Sequence, residues 1–257
     1  MISEALSKLS AKAIQRGTKI RVRIGFSSLS IWQKLFQTSN LNGRIYPSTL
    51  YTSTLGIPHL DGLDVEVKSI FVRPFSVMHP KFIVVDRRRV FLPSCNVSWE
   101  EWFEGCVELS GAIVDQFVHF WEDFWKSSHD ATIELPNPLD LSGASEEPLL
   151  EVTPIFLPSS HHRNPRFRPF PWQPVSAPPR TPLNVFILKA IAAAEQSVYI
   201  QTPNLTAIPV LSSVLNALRC GIDVSILTSE RLMILEQLVT AGTTTSRCVR
   251  KLIKRYK

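Results

Sequence analysis

The sequence predicts an α/β fold, a mixed sheet flanked by helices, on three observations. Apolar residues at helical spacing alternate with short runs of strand periodicity. The order helix, glycine, alternating strand occurs near the start and again after residue 183. Between them, two short apolar runs meet at Asp86 to Arg89 and read as a hairpin.

Residues 2–15 place Ile2, Leu6, Leu9, Ala13 and Ile14 at helical spacing, and Arg16-Gly17 supplies the stop. Lys19 to Phe26 alternates Ile20, Val22 and Ile24 with Lys19, Arg21 and Arg23, a strand with one basic face. That face reads as a solvated sheet edge, with substrate contact as the alternative. Residues 27–60 carry weaker signals: a short helix near Ile31 to Phe36, then a loop rich in Ser, Thr and Asn. Leu63 to Phe71 is a strand leading into the hairpin. There Lys81 to Asp86 forms one strand, Arg87 to Arg89 the turn and Val90 to Leu92 the return. Ser98 to Gly105 reads as a turn or helix and Val107 to Val114 as a strand. Asp115 to Trp125 is a helix carrying Phe117, Phe120, Trp121, Phe124 and Trp125, a stripe suited to packing on a sheet rather than to a lipid face.

Twelve of the nineteen prolines lie between Pro136 and Pro182, which forbids regular helix or central strand there. Its basic and aromatic run from His161 to Trp172 suits a connector packed on a domain surface, or an anion clamp at a phosphate entrance. The pattern then restarts: helix at Leu183 to Ala193, strand at Ser197 to Gln201, helix at Ala207 to Arg219 stopped by Cys220-Gly221, strand at Ile222 to Leu227. A basic helix runs from Arg231 onward, with Val249, Leu252, Ile253 and Tyr256 on one side and Arg247, Arg250, Lys251 and Lys254 on the other. Packing on the sheet is its expected use, anionic membrane attachment the alternative. Lys12 to Ile24 and Asn216 to Thr228 share helix, Gly stop and strand, which reads as an internal duplication.

With 257 residues, 44% of them hydrophobic, the chain has room for one large or two modest cores. A formal net charge of +6 suits an anionic partner, lipid headgroups or nucleic acid alike. Cys95, Cys106, Cys220 and Cys248 have no metal-ligand spacing, and a reducing, intracellular setting is the default. Neither a secretion signal nor an apolar stretch of membrane-spanning length is present, so the expected state is soluble or peripheral to a membrane.

The chemistry concentrates in Met78 to Asn96. His79 and Lys81, two apart on a strand, share one face, and the hairpin returns Ser94 and Asn96 toward the same end. A nucleophile or base, a fixed cation and two neutral hydrogen-bonding groups suit a phosphate. These residues resemble the HxKx4D…GSxN signature of the phospholipase D superfamily: His79, Lys81, Asp86, then Ser94 and Asn96, with Pro93 where the family has Gly. Proline fixes φ where the family keeps a flexible turn.

The resemblance implies a phospholipase D-like mixed sheet flanked by helices, with one nearly complete half and the start of a second. It implies phosphodiester hydrolysis or phosphatidyl transfer through a phosphohistidine, with one imidazole as nucleophile and a second as general acid and base. His79 would take either role. Lys81 and Asn96 would bind the non-bridging oxygens with Ser94 in support, Asp86 would orient the imidazole or serve as a plain turn residue, and Glu108 would help position a catalytic His. The expected substrate is a phospholipid or other phosphodiester, with peripheral membrane contact. No metal or cofactor is implied. The family needs two motifs, and no other His here has Lys two residues on. A second motif would come from missing sequence or a second chain.

The expected organisation is a motif-bearing half over 1–133, a proline-rich connector over 134–182, and the opening of a second half over 183–257. Two alternatives remain: a single-motif nuclease completed by homodimerisation, and an inactive, truncated anion-binding protein.

Overall fold

A computed structural model describes residues 2–27, 44–69, 79–95, 104–126, 154–159, 172, 179–230 and 232–257. The fold is α/β. The described residues form two compact units, one up to Phe156 and one from Leu157 onward.

The first unit opens with α1 (Ile2–Gln15), which ends at Gly17, in the left-handed region at φ 65°. β1 (Ile20–Phe26), β2 (Arg44–Tyr46), α2 (Ser48–Leu55) and β3 (Leu63–Ser69) follow. The sheet order is β1-β3-β2, with β1 parallel to β3 from Ile20↔Leu63 to Phe26↔Ser69, and β2 antiparallel to β3. This mixed sheet packs Leu63 and Val67 with Leu6 of α1, Tyr46 of β2 and Tyr51 of α2 into one core. β2 and α2 occupy a stretch where the sequence suggested only a loop. Their pattern is short, three strand residues and eight helical ones, and tertiary packing of Tyr46 and Tyr51 supplies what local periodicity does not. The helix expected at Ile31 to Phe36 lies outside the described residues.

On the polar side of this sheet the basic face of β1 is matched by acids one strand over. Arg21 meets Asp64 at 3.5 Å and Arg23 meets Glu66 at 3.6 Å. In a parallel pair, residues in register point the same way, so Arg21↔Asp64 and Arg23↔Glu66 become neighbours.

β4 (Ile83–Val85), β5 (Arg89–Pro93) and β6 (Cys106–Ser110) form an antiparallel sheet in that order. The turn lies at Val85 to Arg88, closed by the Arg88 amide donating to the Val85 carbonyl at 3.0 Å. The strand expected to run to Val114 stops at Ser110. Gly111, at φ 82°, reverses the chain, and Ile113 and Val114 begin α3 (Ile113–Lys126) instead. Both are buried against Val90 with Phe117 and Val118, so their β-branched character serves a helix–sheet core rather than a strand. The aromatic stripe packs as expected: Phe117 lies 4.2 Å from Phe156 and 5.5 Å from Phe82, and Trp125 is buried. The side chain of Phe124 lies outside the described residues.

The second unit contains α4 (Pro182–Ala192), β7 (Ser197–Gln201), α5 (Ile208–Arg219), β8 (Asp223–Leu227), α6 (Ile234–Ala241) and α7 (Thr245–Tyr256). Thr181 caps α4, its hydroxyl accepting from the Asn184 amide, with Pro182 in the first turn where no backbone donor is needed. β7 and β8 are parallel, and their apolar face joins Val214, Leu215 and Leu252. The basic tail forms two helices, not one. Gly242, at φ 63°, ends α6, and the Thr244 hydroxyl caps α7 by accepting from Arg247 N at 3.3 Å. The buried stripe of α7 is Thr245, Cys248 and Leu252, while Ile253 and Tyr256 are about half exposed. The amphipathic division expected of this helix is therefore rotated.

The two helix–glycine–strand passages close with the same backbone bonds. Thr18 N donates to Ala13 O at 3.2 Å and Gly17 N to Ile14 O at 3.0 Å. Ile222 N donates to Ala217 O at 3.0 Å and Gly221 N to Leu218 O at 3.1 Å. Each is a Schellman closure with a left-handed glycine.

Candidate active site

The candidate site is built on the β4–β5–β6 sheet. Phe82 sets the direction of the residues around it. Its ring meets Phe117, Phe120 and Trp121 of α3 at 5.5, 6.2 and 6.0 Å. Phe82 and Val84 therefore face the core, and Ile83 and Val85 face out. Alternation puts Lys81 on the outward side with Ile83.

His79 is exposed and Lys81 half-buried. The Lys81 ammonium lies 3.3 Å from both ring nitrogens of His79 and donates to the His79 carbonyl at 3.2 Å. A neutral imidazole has one in-plane lone pair, on whichever nitrogen lacks the proton, and a group equidistant from both nitrogens is not aligned with it. The contact holds cation and imidazole together without spending either nitrogen on a linear bond to Lys81. One anion could touch both groups.

Asp86 sits in the turn, separated from His79 by β4. Asp86 and Arg87 adopt φ 53° and 55°, the left-handed values that a tight two-residue hairpin turn demands. Asp tolerates that region better than most residues. Among the described residues Asp86 has no hydrogen bond or ion pair, and of the two roles weighed for it the geometry is that of a turn residue. Arg87 reaches back to Glu122 of α3 and ties the turn to the helix.

Ser94 follows Pro93 at the end of β5. Its amide donates to Gly105 O at 2.8 Å, and the Gly105 amide donates to its hydroxyl at 2.8 Å. The hydroxyl in turn donates to the Glu104 carboxylate. The Gly105 carbonyl is a second acceptor for the same proton at 3.2 Å, and Ser94 clamps the ends of β5 and β6. Glu104 was missed in the sequence. Its only signal was adjacency to a glycine opposite the motif serine, which requires the strand register to see.

Pro93 costs this ladder nothing. Ser94 N points to β6, so the nitrogen of Pro93 points the other way, where β4 pairs no farther than Ile83↔Phe91. Glu108 stands opposite Phe91, itself opposite Ile83, so it shares the outward face with Ile83 and Lys81. Its carboxylate meets Arg89 at 3.5 Å. Asn96 lies outside the described residues. The sheet thus brings His79 to Lys81 and Ser94 to Glu104, and leaves Asp86 at the turn.

Among the described residues no cluster of His, Cys, Asp or Glu could hold a metal ion. None of the described helices is long and apolar enough to cross a membrane. A scan of protein-family models and a search of curated proteins both return no match.

Proposed function

We propose that the chain carries one half of a phospholipase D-type phosphodiesterase or phosphatidyltransferase site, with phospholipid as the substrate class. The observation that carries this reading is the pairing of the His79 imidazole with the Lys81 ammonium at 3.3 Å. Spacing matching the family signature supports it, as does the repeated helix–glycine–strand closure.

In this reading Lys81 draws a non-bridging phosphate oxygen toward itself by a charge-assisted bond, which brings phosphorus to the imidazole. As nucleophile, His79 forms an N–P bond while the P–O bond to the leaving alcohol breaks. The alcohol takes its proton from a second imidazole. That imidazole then removes a proton from water or an acceptor alcohol, whose oxygen displaces His79 and restores it. As general acid, His79 would play the second part instead. Ser94 holds the strand end that leads into Asn96, the second ligand of the phosphate oxygens, and Glu108 lies on the outward face with Lys81. The second imidazole comes from a further motif or a second chain.

The test is hydrolysis of bis(p-nitrophenyl) phosphate and of phosphatidylcholine vesicles by the chain and by His79→Ala, with molecular mass measured in solution. Activity that disappears in the variant supports the reading, and its presence in a dimer assigns the second imidazole to a second copy. Activity that survives His79→Ala refutes it. An inactive monomer should gain activity when a chain supplying a second motif is added, and failure there also counts against the proposal.

A further inference from the structure

The first unit contains a concave site that shares no residue with the candidate site above. A cavity of about 590 Å³ is lined by Tyr51, Pro58, Leu60, Leu63 and Val65 and by the polar Lys19, Arg21, His59 and Asp64. Its size falls in the range of small-molecule pockets, about 300–1,000 Å³, and its lining is more polar than apolar.

The charges are arranged unevenly. Lys19 has no ion pair or hydrogen bond among the described residues. Arg21 is held by Asp64 at 3.5 Å with both side chains more than 60% exposed, a pairing worth little in water and easily exchanged for a stronger anion. His59 lies 3.5 Å from Asp61, again in the open. Lys19 and Arg21 both belong to the basic face at the start of β1. Tyr51 and Leu63, 8% and 6% exposed, belong to the core behind the pocket, and the apolar surface it offers comes from Pro58 and Leu60.

We propose that this pocket binds a small organic anion, a phosphate monoester with a flat apolar body. The phosphate is gripped by Lys19 and Arg21, with His59 as a further donor, and the body lies against the partly exposed Pro58 and Leu60. Two cations match a doubly charged phosphate better than a single carboxylate. This inference does not depend on the chemistry assigned to His79.

Calorimetric titration of the full chain tests it, with phenyl phosphate, inorganic phosphate and phenol as probes. Phenyl phosphate is expected to bind with a Kd of about 1 mM or tighter, and each half-probe at least about tenfold more weakly. The double variant Lys19→Gln, Arg21→Gln alters only exposed side chains and should weaken phenyl phosphate at least about tenfold. His79→Ala should leave binding unchanged, which separates this site from the proposed catalytic one. A short-chain phosphatidic acid below its micellar concentration distinguishes sources: binding with the same dependence on Lys19 and Arg21 marks the ligand as a lipid. Equal affinity for phenyl and inorganic phosphate, insensitivity to the double variant, or no binding at several millimolar overturns the proposal.

Discussion

Gly62→Ala should be among the most damaging single-methyl additions to the first unit. The Gly62 amide donates to the Ser10 hydroxyl at 3.1 Å, and its carbonyl accepts from Ile20 N at 3.0 Å. A Cβ at this position would stand 2.3 Å from the Ser10 carbonyl oxygen, 1.1 Å inside the 3.4 Å of ordinary contact. The obstruction is helix backbone, and Ser10 is only 4% exposed, so α1 itself must retreat. Overpacking of this kind costs about 1–3 kcal/mol, and a strained or lost amide–hydroxyl bond adds about 1 kcal/mol. Stiffening of the unfolded chain returns about 0.4–1 kcal/mol. The net expectation is a loss of about 1–3.5 kcal/mol, read as a lower urea midpoint with unchanged slope. Gly105→Ala is the control, because a Cβ there meets nothing within 4 Å. Its stability should change by less than about 1 kcal/mol. If the two variants were equally stable, the close approach of α1 to the β3 entry would not be a feature of the folded protein.

Lys68 is 5% exposed, with its ammonium on the Trp125 carbonyl and 5.4 Å over the Trp125 ring. Burial lowers its pKa below the ordinary 10.5, against the opposing pull of Glu66. As pH rises from that lowered value toward 10.5, the folded lysine gives up its proton before the unfolded one, so the unfolded state binds more protons and stability rises with pH. Lys68→Met should lack this alkaline rise, and parallel urea titrations that rise equally in both proteins would refute it. Ser94→Ala removes the acceptor for Gly105 N and the donor to Glu104. Both groups are near water, so global stability should fall by only about 1 kcal/mol, while amide exchange at Gly105 accelerates and β1–β3 amides stay protected. Asp86→Gly relieves a left-handed residue and should raise stability by about 0.5–1 kcal/mol, or Tm by a few degrees. A drop in Tm would give the Asp86 side chain a part that the turn geometry does not.

Legibility followed the length of the pattern. α1, β1, α3 and α5 have uninterrupted periodicity and glycine or proline punctuation, and the sequence placed each within two residues. β2 has three residues and α2 eight, and neither repeats its pattern long enough to declare a face. The β6–α3 junction misled because Val107, Leu109, Ile113 and Val114 are all strand formers, and only the conformation of Gly111 divides strand from helix. In the tail, Val249, Leu252, Ile253 and Tyr256 are compatible with one face, but the Thr244 cap and the burial of Cys248 fix a different rotation. At the candidate site, the neighbours His79 and Lys81 were readable from spacing of two. Glu104 on Ser94 was not, because the contact spans ten residues and depends on β5–β6 register.

The orientation of the motif is decided by a residue with no chemistry of its own. Strand side chains alternate, so anchoring one residue of a run fixes the faces of its neighbours. Phe82 is anchored by three aromatic contacts to α3, and Val84 joins the same core. Shifting that run by one residue would bury the Lys81 ammonium among Phe117, Phe120 and Trp121 and put Phe82 in water. An unpaired ammonium in that apolar cluster would cost several kcal/mol, far more than any gain from a different pairing. The spacing of His79 and Lys81 therefore acquires meaning only through Phe82. A lysine two residues from a histidine is a pattern of letters until the aromatic that follows, Phe82, packs on the core and turns Lys81 away from it.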